Sequence, residues 1–154
     1  MREILFRGKR EDAGEWVYGY YAHLPSAAGA ADIIYVPASD PDDSNHTVFV
    51  DPETLGQYTG LTDKNGVKIF EGDIVKTYDP DDSPAVVVYD ESETQYGIVI
   101  DNIYYCLGEH FRGIDLEVIG NIYDNSELIG DMDIKPAAKR GDAPAEQLAL
   151  APAT

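Results

Sequence analysis

From residue 16 to residue 123 the apolar residues recur mostly at every second position in short runs, and Pro, Gly, Asp and Asn clusters cut each run off before a helical stripe can develop. A period of two sends successive side chains to opposite faces of an extended chain, so the pattern predicts strands buried on one side. The candidates are residues 4–6, 16–21, 33–36, 47–50, 67–70, 74–78, 85–89, 96–100, 103–107 and 116–123. Helical signals are sparse. Asp51-Pro52-Glu53-Thr54-Leu55 reads as one capped turn, and Asn125-Ser126-Glu127-Leu128-Ile129 as a second. Many short strands with so little helix predict a mainly β domain, a small barrel or sandwich with an SH3-like barrel among the options.

Two turns fix where strands begin and end. Asn65-Gly66 is the dipeptide favoured by two-residue primed hairpin turns, whose central residues both need positive φ. Glu71-Gly72-Asp73 predicts a sharp bend at Gly72 before Ile74-Val75 re-enters a sheet, with the Asp73 carboxylate bonded to nearby backbone. Both stretches therefore read as scaffold rather than as a catalytic loop.

The length of 154 residues suits one domain, and 44% apolar residues with 11 tyrosines are enough for a packed core. Twenty-nine acidic residues against 11 basic ones give a formal net charge of −18. The imbalance is concentrated: ten carboxylates and no Lys or Arg between Glu11 and Asp63, then fourteen carboxylates with Arg112 alone between Thr77 and Asp133. Such a surface repels nucleic-acid phosphates, so direct binding of nucleic acid is not expected. It suits solubility or the docking of a basic protein partner. With no long apolar run and a single Cys106, the chain reads as a cytoplasmic protein without membrane association.

Four blocks of sequence carry a family resemblance: REILFRGKR (2–10), GEWVYG (14–19), VDPETLGQYTGLTDKNGVKIFEGDIVK (50–76) and VIGNIYDNSEL (118–128). In this order and spacing the chain resembles the YopX family of bacteriophage and prophage proteins over residues 1–130. The resemblance implies a phage-encoded accessory protein, mainly β, acting in the host cytoplasm, with no established enzymatic activity and no catalytic residues to carry over. Residues 25–45 and 79–95 match nothing in that pattern, so a partner particular to this chain is expected to bind there.

The residues themselves offer few sites. DPDDS occurs twice, at 40–44 and 79–83, and its carboxylates Asp40, Asp42, Asp43, Asp79, Asp81 and Asp82 are the candidate binding residues for a basic partner. The first copy loosely matches a calcium-loop count, but Asn45 replaces the turn glycine and Asp51 the terminal Glu, so solvated turns are the simpler reading and no metal is assigned. Arg7, Lys9 and Arg10, with Arg2, form a basic group near the first strand that suits an anionic small molecule. Cys106 and His110 stand four residues apart, yet adjacency alone makes no nucleophilic pair, and Cys106 reads as a small buried hydrophobe. Trp16, Tyr18, Tyr20 and Tyr21 read as packing aromatics rather than base-stacking ones. No phosphate loop, flanked serine or cofactor motif is found. The expected function is therefore protein–protein binding through the acidic surface, with self-association left open. The alternatives are an acidic mimic of DNA directed at a host nucleic-acid-binding protein, and sequestration of an anionic ligand.

Residues 131–154, Ala- and Pro-rich after Ile134, lack the large apolar side chains needed to repay ordering and read as a flexible tail. Ending the chain near Asp133 should therefore leave its stability nearly unchanged, and a large drop in Tm of the shortened protein would refute this.

Overall fold

A computed structural model of the chain describes residues 1–25, 27–37, 46–78, 81, 83–132 and 134. The expected flexible tail, apart from residues 131, 132 and 134, lies outside this set. The elements run β1 (Phe6–Lys9), β2 (Trp16–Leu24), β3 (Ala31–Tyr35), β4 (Thr47–Phe49), a 3-10 turn at Pro52–Thr54, β5 (Gly56–Thr62), β6 (Lys68–Phe70), β7 (Asp73–Thr77), β8 (Pro84–Asp90), β9 (Gln95–Ile100), β10 (Ile103–Cys106), a 3-10 turn at Gly113–Asp115, β11 (Leu116–Asn121) and a 3-10 turn at Ser126–Leu128. They form two antiparallel sheets, ordered β4-β3-β2-β1-β5-β6 and β10-β9-β8-β7-β11. The mainly β expectation holds.

Two strands differ from the sequence reading for identifiable reasons. β1 is the basic segment FRGK rather than the apolar residues 4–6, and its register pairs Arg7 with Tyr18. Arg7 can lie buried in a strand because it finds a carboxylate there, as described below. β5 was not expected at all. Gly56 and Gly60 dilute its alternation, and Gly60 takes φ +91° where the register with β6 shifts between Tyr58 and Thr62. Yet β5 is central, hydrogen-bonded to β1 on one side and β6 on the other.

The Asn65-Gly66 turn is a hairpin, but not of the expected type. Gly66 has φ +82° while Asn65 stays at negative φ, and the Gly66 N–H donates to Asp63 O at 3.0 Å. The loop is thus three residues, Lys64 to Gly66, ending in a left-handed glycine, because the Asp63 side chain favours that form. Asp63 Oδ1 accepts from Asn65 N at 2.8 Å and Val67 N at 2.9 Å, while Oδ2 accepts from Val118 N at 2.9 Å, which ties the hairpin to β11. Burial pushes this carboxyl up, but the three backbone donors more than offset it and hold its pKa below the usual range. A two-residue turn with both central residues at positive φ occurs elsewhere, at Asp101-Asn102, joining β9 to β10.

Glu71-Gly72 is the corner at which the chain leaves the first sheet at Phe70 and enters the second at Asp73. Gly72 turns at φ +81°, donates to Val87 O and accepts from Ile122 N, each at 2.9 Å, so the corner is itself built into the second sheet's surroundings. Asp51 caps the first 3-10 turn as expected, accepting from Glu53 N at 2.9 Å. Asn125 does not cap the last turn with its side chain, and its Oδ1 accepts from Asn121 N at 3.2 Å instead.

The core lies where β6 meets the second sheet: Ile69, Val75, Ala85, Val87, Ile98 and Leu116 are buried together, with Leu61, Tyr105 and Phe111 packed around them. Each fully buried Val, Ile or Leu side chain contributes about 1.5–3 kcal/mol. Ala85 and Val87 are alternate positions of β8, as a period of two requires, while the intervening Val86 and its neighbour Ile74 of β7 are buried as well.

Gly66→Val and Gly72→Val should each lose about 1–2 kcal/mol from left-handed strain. The second should lose more, since a Cβ there meets the Tyr123 ring at 3.2 Å whereas Gly66 faces open space. Urea midpoints of the two variants check the order, and equal or unchanged stability would contradict it.

Candidate functional site

The basic group of the first strand becomes internal structure. Alternation along β1 places Arg7 and Lys9 on one face, against Trp16 of β2. Arg7 is buried, with its Nη2 2.6 Å from Asp73 Oδ1 and 3.2 Å from Glu71 O, and its guanidinium lies over Trp16 and Phe70 at 4.7 and 5.0 Å. Burial pushes the Asp73 carboxyl up despite Arg7. Lys9 pairs with Asp124, which also accepts from Trp16 Nε1 at 2.7 Å and Asn121 Nδ2 at 3.1 Å. Arg10 holds both oxygens of Asp12, at 2.8 and 2.7 Å. The three cations expected to receive an anion are thus each engaged by a carboxylate, and Arg7 is out of reach of solvent. Trp16 and Tyr18 pack as expected, against Tyr123 and Phe70 with ring centroids 5.7 and 5.5 Å apart.

Of the candidate acidic residues, Asp81 is exposed, whereas Asp40, Asp42, Asp43, Asp79 and Asp82 lie outside the described residues. What the structure adds is a groove of about 640 Å³ that sequence reasoning missed. It is lined by Gln57 and Thr59 of the unexpected β5, by Arg2, and by Tyr89, Gln95 and Tyr96 around the β8–β9 turn. Without β5 in hand, no sequence signal brings these residues together. Thr94 in that turn adopts φ +54°, a conformation a β-branched residue takes only under constraint. Arg2 offers the groove a cation and the Gln side chains offer hydrogen bonds to a small polar or anionic molecule, whereas the Thr59 hydroxyl already donates to Ile69 O at 2.9 Å.

Beyond the groove's Leu107-Gly108 rim the chain brings Cys106, Glu109 and His110 together, with one donor atom of each within 4.8 Å of the others. Cys106 is partly exposed rather than buried. Burial and then the Glu109 charge push its thiol pKa up, which disfavours the thiolate a nucleophile needs.

Asp124 offers a check on these placements. Lys9, then Trp16 and Asn121, bring its pKa down to about 2, below the ordinary unfolded value of about 3.9. Its contribution to stability is therefore complete above pH ~4 and is lost as pH falls toward 2. Asp124→Asn should lower stability at neutral pH and flatten this part of the acid limb, as read by Tm against pH. An unchanged limb would show that the contacts contribute nothing in solution.

The YopX protein family model matches residues 5–130. No curated protein matches the chain. Among solved structures, protein EF1440 from Enterococcus faecalis is similar over 84% of this chain and 99% of its own, with 22% sequence identity and a TM-score of 0.47. The family match gives no sign of catalysis. With the family's match running from β1 through the last 3-10 turn, and the Arg7–Asp73 corner and Asp63 hairpin inside it, the chain belongs to the YopX family.

Proposed function

We propose that this chain is a phage-derived accessory protein that works by binding another protein, a basic one of the host or phage, through its acidic surface in the host cytoplasm. The observation that carries this reading is how the cations are used. Arg7, Lys9, Arg10, Lys64, Lys68 and Arg112 pair with Asp73, Asp124, Asp12, Glu117, Glu3 and Asp115. With so much of the positive charge engaged internally, the net charge of −18 falls on the remaining carboxylates. An exposed aromatic face adds contact area. Tyr20 pairs in register with Tyr35, and Ile33, on the same side of β3, pairs with Phe49. Tyr20, Tyr35 and Phe49 are exposed, and interface cores are enriched in such residues.

A second reading is favoured by the groove: an anionic small molecule held by Arg2 with Gln57 and Gln95 as hydrogen-bonding neighbours. The DNA-mimic alternative shares the acidic surface and differs in its partner, a host protein whose own ligand is nucleic acid.

Affinity capture from infected host cells, followed by mass spectrometry, tests the main reading. The captured partner should be basic, and its association rate should fall as salt rises, since exposed charges are screened over about 8 Å at physiological ionic strength. Reversing Asp40, Asp42 and Asp43, or Asp79, Asp81 and Asp82, should slow association, while Tyr35→Ser should speed release. The chain alone should not retain duplex DNA. A partner whose binding ignores both salt and the reversals would overturn the proposal, as would tight, salt-resistant binding to bare DNA.

A further inference from the structure

We propose that Cys106, Glu109 and His110 form a binding site for a thiophilic divalent transition-metal ion of the Zn²⁺ class. The donor set makes the first argument. A thiolate, an imidazole and a carboxylate suit Zn²⁺ and its neighbours, whereas Ca²⁺ and Mg²⁺ take oxygen ligands. Three protein ligands with one position left open is a recognised zinc arrangement.

Geometry makes the second. The three donor atoms lie within 4.8 Å of one another with no ion present. Tetrahedral zinc, at about 2.0–2.3 Å from each ligand, needs donors about 3.5 Å apart. Side-chain rotation of two exposed residues, Glu109 and His110, can close that difference. The backbone beneath them is already fixed. Cys106 pairs with Gly97 at the end of β10, Leu107 N donates to Tyr96 O at 2.9 Å, Gly108 N to Phe111 O at 2.7 Å and His110 N to Cys106 O at 3.2 Å. Ligands carried on one hydrogen-bonded turn lose little freedom when an ion binds.

The surroundings make the third. Gln95, which lines the adjacent groove, lies on β9 two residues from Gly97, the strand partner of Cys106. A bound divalent cation becomes the largest local charge and holds a coordinating thiol as its thiolate. Gly108, Glu109 and His110 are exposed, so the turn is open to solvent beside the groove. The site is independent of the protein-binding reading above.

The test titrates the reduced, metal-free full-length chain with Co²⁺ and follows the thiolate-to-metal charge-transfer absorption. A band that saturates at one equivalent and is displaced by Zn²⁺, but not by excess Mg²⁺ or Ca²⁺, is expected. Cys106→Ser should abolish the band. His110→Ala, at an exposed position that leaves folding intact, should weaken Zn²⁺ binding at least about tenfold in calorimetry. Glu127→Gln, an exposed carboxylate on the last 3-10 turn, should leave both readouts unchanged. No charge-transfer band in the unaltered chain would overturn the site. So would binding of several weak equivalents that survives both substitutions, which would report only the diffuse carboxylate excess, or a half-equivalent endpoint, which would place the ion between two chains.

Discussion

The buried ion pair between Arg7 and Asp73 is the contact around which the two sheets are arranged. It sits at the Glu71-Gly72 corner, with Asp73 accepting from Phe70 N at 2.8 Å on its other oxygen and Arg7 reaching Glu71 O. One guanidinium thus joins β1 of the first sheet to the opening residue of the second. Removing one partner of such a pair leaves an uncompensated buried charge, at a cost of about 3–5 kcal/mol. Replacing both by well-packed apolar residues is often neutral, so the pair's presence does not by itself imply a net gain in stability.

The same economy extends to the other cations. Lys9, Lys64 and Lys68 each join segments far apart in sequence, to Asp124, Glu117 and Glu3, and Lys64 is the residue beside Asp63 in the hairpin that meets β11. Glu117 and Tyr78 raise the Lys64 pKa, in keeping with a cation held at a seam. Exposed pairs of this kind are individually weak and screened by salt, while the buried Arg7–Asp73 pair is screened much less. The fold and the surface field are therefore linked. Six of the described basic side chains pair with carboxylates, and the remaining carboxylates dominate the net charge of −18.

The groove shows how neighbouring strands make a site that no single segment contains, whereas Cys106, Glu109 and His110 lie in one turn whose place is set by β9. The Asp101-Asn102 turn fixes the β9–β10 register, which sets Cys106 opposite Gly97 and brings Leu107 to Tyr96. That pairing carries the 107–110 turn to the end where the β8–β9 turn and β5 already lie.

Period-two patterning and turn chemistry made most of the strands legible, because each depends on residues close in sequence: β7, β8 and β9 follow from apolar alternation, and the bend at Gly72 from the need for positive φ. The negative charge and the family resemblance were likewise present in the chain itself. What composition could not show was how buried polar groups would be satisfied. A strand containing Arg7 is unfavourable until Asp73, sixty-six positions away, supplies its partner. A strand containing Gly56 and Gly60 is weak until β1 and β6 flank it. The Asn65-Gly66 turn took a different form because the Asp63 carboxylate found Val118 N as well as its own loop. Local propensity is settled by neighbours along the chain, whereas burial of charge and convergence of ligands are settled by neighbours in space, and those only the tertiary structure supplied.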